Sequence, residues 1–406
     1  MIKKSDFIGM YSIKLLSILV PFLLLPFLSR ALDNQNFSAY LYAQVLAISV
    51  STILEYGFNV NATRRVAQSK SRKNISIIIS DVSNAKIFLI IPLVFVCAIM
   101  YYTIALFQEF EYLIAYVFLL GLAQGLGNSW YFQGVGKILL SSSIESAINL
   151  LIILLIIIYI STPDQAYEVL AIFSIGKIIQ AYVLNKIMFS RENYKGFNVK
   201  RAILAIRYFD PMVMRLGTLV YSYSVQIISG ILLSTSILGI FLALDRLVKS
   251  IVALSQPLSQ ILFPIMSNVS RESPSVHKSQ VNKILYLSII VSFLISCVLF
   301  IFSEYLVSIF LGRVDNNNVA IFSILIWQIP IAIIYEVVGV QFLLARGEFN
   351  KFTFSNFAGF FVVLIAYLLL DISWSATDLG YLYLTTSLVS VVFMLFFYYK
   401  KKDYLL

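Results

Sequence analysis

Five basic residues, Lys14, Lys177, Arg215, Arg246 and Lys249, and five acidic ones, Glu55, Glu145, Asp210, Asp245 and Glu336, interrupt stretches that are otherwise almost wholly apolar. A charged side chain at the centre of an apolar helix in lipid costs about 2.5–3.5 kcal/mol on insertion scales. Five such cations facing lipid would forfeit roughly 12–18 kcal/mol, as much as a whole domain's stability. The expectation is therefore that they face protein or a water-filled cavity. Deep in these stretches the cations outnumber the two acids, Asp245 and Glu336. A wet, cationic interior suits an anionic passenger, and guanidinium and ammonium groups pair especially well with phosphate oxygens.

The densest arrangement is Arg246, Lys249, Ser250, Ala253, Gln256 and Gln260, which recur every three or four residues and predict one polar stripe along a helix. Asp245 lies four residues before Lys249, so part of the charge can be neutralised within that helix. The alternative is a purely structural ion-pair network between helices. Lys14 sits about one turn into its stretch and can also snorkel to the interface. Lys177 shares a helical face with Ser174, Ala181 and Asn185, which favours cavity lining. Glu55, Glu145 and Asp210 lie toward stretch ends and are expected at the interface. Glu336 lies deeper and is, with Asp245, a candidate proton or cation site.

The elements that must hold these residues are membrane spans. Hydrophobic residues make up 60% of the chain and charged ones 12%, with a mean hydropathy of +0.89, far outside the range of soluble domains. Apolar runs predict about twelve transmembrane helices at 7–28, 37–58, 87–107, 112–132, 144–160, 167–189, 208–233, 238–262, 284–302, 319–343, 352–370 and 379–399. The runs are continuous, without the alternation of a β-barrel. No cleavable signal is expected before the first run. With both termini in the cytoplasm, 23 of the 30 Lys and Arg residues fall on that side, two (Arg30 and Arg313) opposite, and five within spans. One missed or invented helix would destroy that split.

Two cytoplasmic connections, 59–86 and 190–207, are longer than the others. The second predicts an N-terminal six-helix lobe at 1–189, a linker at 190–207 and a C-terminal six-helix lobe at 208–406. Weak internal similarity, such as Ala39 and Ala43 against Gly239 and Ala243, fits a pseudo-symmetric pair of bundles.

Several classes of function find no support. The formal charge of +10 sits in short loops beside helix ends, which reads as topology rather than nucleic-acid binding. Cys97 and Cys297 lie in apolar runs and are expected as core thiols. His277, the one histidine, falls in a polar loop. Walker A, GxSxG and HExxH motifs are absent from the sequence, as are clustered metal ligands and paired carboxylates at depth. No metal, no cofactor and no enzyme chemistry is expected.

Three segments resemble a known family. Glu55-Tyr56-Gly57-Phe58-Asn59, continuing to Ala62-Thr63-Arg64, is similar to the segment closing span two of the Wzx-type polysaccharide flippases of the multidrug/oligosaccharidyl-lipid/polysaccharide (MOP) exporter superfamily. Trp130-Tyr131-Phe132-Gln133-Gly134 with Lys137 looks like their segment after span four, with Gly136 departing from an often acidic position. Leu238-Gly239-Ile240-Phe241-Leu242-Ala243 with Asp245-Arg246-Leu247, then Pro257-Leu258-Ser259-Gln260 and Phe263-Pro264, resembles their entry to span eight.

The resemblance implies a MATE-like fold and a flippase that turns an undecaprenyl-diphosphate-linked oligosaccharide, such as an O-antigen repeat unit, from the cytoplasmic to the periplasmic leaflet of the bacterial inner membrane. It implies membrane lipid, H+ or Na+, a polysaccharide polymerase and a chain-length regulator as partners. Arg215, Arg246 and Lys249 would hold the head group, Lys14 and Lys177 would support them, and Asp245 or Glu336 would couple transport to an ion. Two other readings are a cation-coupled multidrug exporter, against which the basic bias argues, and a membrane polymerase, which would need a large external loop.

Overall fold

A computed structural model of the chain describes residues 24–400 except 70, 105, 193, 195, 208–209, 234, 313–314 and 370–373; at 60, 210, 235 and 236 it describes the backbone alone. Lys14 and the expected first span up to residue 23 lie outside the described residues.

All regular elements among the described residues are helical. By Cα packing the chain divides into two compact units, Met1–Leu216 and Gly217–Leu406. The first holds α1 (Asn34–Glu55), α2 (Phe58–Gln68), α3 (Arg72–Thr103), α4 (Leu106–Glu109), α5 (Leu113–Gly125), α6 (Ser129–Gly134), α7 (Ile138–Tyr159), α8 (Ala166–Arg191) and α9 (Val199–Ile206). Helix α10 (Asp210–Leu232) carries the division between the units. The second unit continues with α11 (Thr235–Ala253), α12 (Gln256–Glu272), α13 (Pro274–Ile301), α14 (Ser303–Leu311), α15 (Asn316–Leu325) and α16 (Gln328–Ile334). A wide π-helix at Tyr335–Leu344, α17 (Phe349–Leu369) and α18 (Ala376–Lys400) complete it. Among the described residues nine helical stretches are long and apolar enough to cross a membrane. Helices α10 and α11, which carry Arg215, Asp245, Arg246 and Lys249, are not in that set.

Small residues set the closest approach in the first unit. A Cβ at Gly121 of α5 would collide with Val50 of α1, and one at Gly125 would lie 2.8 Å from Leu54. Two glycines four residues apart thus let the backbones of α1 and α5 meet, as small residues commonly do between membrane helices.

Four of the expected spans are interrupted, each for a visible reason. Span two turns at Tyr56 and Gly57, both left-handed (φ 49° and 80°), and continues as α2. A Cβ on Gly57 would sit 2.5–2.8 Å from Pro211, so glycine is required there both by conformation and by space. Span four breaks between α5 and α6. Span eight ends at Ala253 because Pro257 has no N–H to offer its carbonyl; Pro257 instead opens α12, where a missing donor costs nothing. The predicted polar stripe therefore runs over two helices, with Gln256 and Gln260 exposed on the second.

Span ten breaks at Ile326–Trp327, one turn before Pro330, which cannot donate to Ile326 O. That carbonyl accepts instead from the Ile329 N–H at 3.0 Å and from the Ser296 hydroxyl at 3.3 Å. Beyond it the bonding widens, with the Ala345 N–H reaching Val340 O at 3.2 Å, a five-residue step.

Three local expectations need correction. The 59–86 connection is largely helix, because α3 begins at Arg72, about four turns before its apolar run. Lys86 is 1% exposed, although the loop reading placed it in cytoplasm. His277 is fully buried in the first turn of α13 rather than in a loop. Its Nε2 bonds Gln341 O at 2.9 Å while Nδ1 accepts from Arg346 Nε at 3.1 Å. Cys97 is buried as expected, but Cys297 is only half-buried.

Candidate functional site

Within the second unit, α10 and α11 bring a compact polar group together. Asp245 is 4% exposed, and its Oδ2 accepts from Lys249 Nζ at 2.9 Å and from Gln226 Nε2 at 3.0 Å. Lys249 also donates to Ser222 O at 2.8 Å, and its ammonium lies 4.0 Å from the Tyr223 ring centroid and 5.2 Å from that of Tyr383. A carboxylate, a carbonyl and two ring faces therefore surround Lys249. An incoming anion must compete with Asp245 for it. Asp245 Oδ1 is buried and has no hydrogen-bond partner among the described residues, so one carboxylate oxygen is left unsatisfied. Arg246, on the neighbouring position, is half-buried.

Glu336 stands at the start of the π-helix and accepts a hydrogen bond from the Ser259 hydroxyl. Gln341, one turn on, donates to Ser259 Oγ at 2.7 Å. The stacked rings of Tyr221 and Tyr335, 3.9 Å between centroids, tie α10 to this stretch. Asp245 and Glu336 thus belong to separate hydrogen-bonded groups.

In the first unit, Arg215 Nη2 pairs with Glu55 Oε2 at 2.8 Å, with side chains 38% and 15% exposed. Glu55 is therefore a partner across the fold as well as a residue near a span end. Lys177 donates to Asn149 Oδ1 at 2.8 Å and to Gln180 Oε1 at 2.9 Å. Arg215 and Lys249 each meet a carboxylate, while Lys177 meets neutral amides. Glu145 is half-buried, and the Asp210 side chain lies outside the described residues.

Sequence reasoning missed Lys86. Its ammonium donates to Gly127 O at 3.0 Å and to Asn128 Oδ1 at 3.3 Å. Asn185 Nδ2 reaches Leu126 O at 3.2 Å, and the Asn128 and Asn185 side chains bond each other. The carbonyls freed where α5 breaks are thus met by side chains from α3 and α8, as irregular backbone inside a membrane protein requires. Trp130 Nε1 donates to the same Asn128 oxygen at 2.8 Å, which fixes the Trp130–Gly134 segment. The helical period Ile78, Ile79, Val82, Ala85, Lys86, Leu89 ran across the loop boundary drawn at 86 and was the available signal.

Residues 5–270 match the family described as "Polysaccharide biosynthesis protein". A Shigella dysenteriae protein named "Putative O-antigen transporter" is 26% identical over 257 residues, 62% of this chain; the chain spans 64% of that relative's length. An inward-facing multidrug resistance MATE family transporter of the MOP superfamily superposes with TM-score 0.63 at 12% identity, covering 94% of this chain and 97% of its own. The lipid II flippase MurJ, in an inward closed conformation, superposes with TM-score 0.61 at 14% identity, covering 96% and 86%. The fold is thus the all-α, multi-pass fold of the MOP exporters.

Proposed function

Because the chain belongs to the polysaccharide biosynthesis protein family, we propose that it is a Wzx-type flippase, a transporter and not an enzyme, for a lipid-linked oligosaccharide. The substrate is an undecaprenyl-diphosphate-linked repeat unit of O-antigen type, moved from the cytoplasmic to the periplasmic leaflet of a bacterial inner membrane by alternating access. Twelve spans in two six-helix lobes, 1–189 and 208–406, with both termini cytoplasmic, carry the passage. A polymerase and a chain-length regulator act on the product outside.

The observation that carries the reading is the Asp245–Lys249 pair. Arg246, Lys249 and Arg215 supply the positive charge for the diphosphate, with Lys14 and Lys177 in support. Lys249 is held by a nearly buried carboxylate with one unpartnered oxygen. A proton or Na+ at Asp245 cancels the charge that holds Lys249 and frees the ammonium for phosphate, which links ion entry to substrate binding. Glu336, bonded to Ser259, is the second ion-responsive carboxyl.

The test is R246Q together with K249Q in cells making a surface polysaccharide. The expected outcome is loss of surface polymer beyond any fall in protein abundance, with lipid-linked units trapped on the cytoplasmic face. Normal export at normal abundance overturns these roles. Single units accumulating outside would instead mark a polymerase, and altered drug resistance on overexpression a multidrug exporter.

A further inference from the structure

Helix α9 presents large apolar side chains on the face it does not pack with. Phe197, Val199, Ile203 and Leu204 are 52%, 46%, 52% and 61% exposed, and Lys200 and Arg207 beside them are exposed too. Positions 200, 203, 204 and 207 share one side of a helix, so this face reads basic, apolar, apolar, basic. In a protein surrounded by water such a face would be a liability.

The opposite face is fixed to α3. Ala202 is fully buried. The Asn198 N–H and the Tyr194 hydroxyl both donate to Asn84 Oδ1, at 3.2 and 3.1 Å. Arg201 pairs with Asp81 at 3.4 Å, and the Tyr56 hydroxyl donates to Ile206 O at 2.7 Å. The Asn198 side chain caps the helix by accepting from the Arg201 N–H at 3.2 Å. These bonds leave α9 little freedom to turn its apolar side inward.

Its level in the membrane follows from α3. Ile87, Ile91, Val94, Phe95, Ile99 and Tyr102 form an exposed apolar stripe at helical spacing. At 1.5 Å per residue the stripe covers roughly 22 Å, most of a hydrocarbon core about 30 Å thick. Asp81 and Asn84, which hold α9, lie within two turns of the point where that stripe begins. We infer that α9 is an interfacial helix, which lays Phe197, Ile203 and Leu204 into the headgroup–acyl boundary of one leaflet and holds anionic phospholipid through Lys200 and Arg207. Amphipathic helices with basic residues beside an apolar face bind anionic leaflets in this way. Arg201 takes no part, because Asp81 already engages it. The inference is independent of which substrate the protein carries.

Two measurements on the full chain test it. In a C97A/C297A background, Leu204→Cys carries an environment-sensitive fluorophore in phosphatidylcholine vesicles with and without phosphatidylglycerol. The label should be quenched by a lipid bearing a shallow spin label and shielded from aqueous iodide, most strongly with phosphatidylglycerol present. Label fully open to iodide in both vesicles overturns the inference. Shielding in detergent that grows with protein concentration also overturns it, because a second copy then covers the face.

The second measurement uses the otherwise native chain and counts phosphatidylglycerol retained in native mass spectrometry. Affinity should fall roughly fivefold for each charge removed in K200Q/R207Q and stay near that of the native chain in R201Q. Equal retention by the native chain and K200Q/R207Q rejects the lipid-binding role whatever the label reports.

Discussion

Lys249 and Asp245 differ in how far each can reach water, and that difference ranks their replacements. Removing Lys249 strands a carboxylate whose side chain is 5% exposed; removing Asp245 leaves an ammonium that is 25% exposed and can still be hydrated. K249M should therefore destabilise the protein more than D245N, by up to about 3–5 kcal/mol for the stranded acid, read as thermal unfolding of the purified protein in detergent. The reverse order would show that the pair does not sit in a low-dielectric site. This pair was legible in the sequence because four residues on one helix fix its distance. Glu55 and Arg215, 160 residues apart, were each visible as intramembrane charges, but their meeting depends on packing that spacing does not encode. Lys86 was hidden by a different cause. A long polar-looking connection masked a helix that had already begun.

At the scale of the element, apolar runs located the helices because lipid leaves the backbone no alternative. The interruptions within those runs were harder to read. Pro257 and Pro330 are visible in the sequence, yet proline is common enough in membrane helices that neither alone marks a break. The α5–α6 break rests on Lys86 and Asn185, which belong to other helices. The Tyr56–Gly57 turn is the most constrained of these joints. G57A places a methyl against the Pro211 backbone at a φ of 80°, and should cost more than the roughly 0.4–1 kcal/mol that a well-fitting Gly→Ala change gains. The check is a lower unfolding midpoint for G57A, while G136A, with nothing within 4 Å of its added Cβ, shows only the strain of its positive φ. Equal losses at both sites would mean that Pro211 yields.

For the whole molecule, charge distribution predicts which loops face which compartment. The fold of the MOP exporters is consistent with many passes, and the proposed topology assigns Lys137 to the cytoplasm and Arg30 to the opposite side. Single cysteines at these positions, in a chain without Cys97 and Cys297, should separate cleanly with a membrane-impermeant thiol reagent on intact spheroplasts. K137C should stay unmodified and R30C should react. Modification of both from outside would break the proposed side assignment and with it the even number of spans. Composition made the multi-pass class legible, since it is a sum over many residues; the sidedness drawn from loop charge is the expectation that these labels test.

The lysine that seals the gap in span four has a consequence for how the chain is made. Lys86 leaves the ribosome 41 residues ahead of the carbonyl it serves, an interval of roughly 2–8 s at ordinary synthesis rates. During that time α3 carries an ammonium without its acceptors, so it is poorly suited to release into lipid as a lone segment. We predict that α3 stays sheltered until the hairpin that follows is delivered, so that nascent chains ending before Gly127 crosslink to the insertion machinery through α3 and longer ones do not.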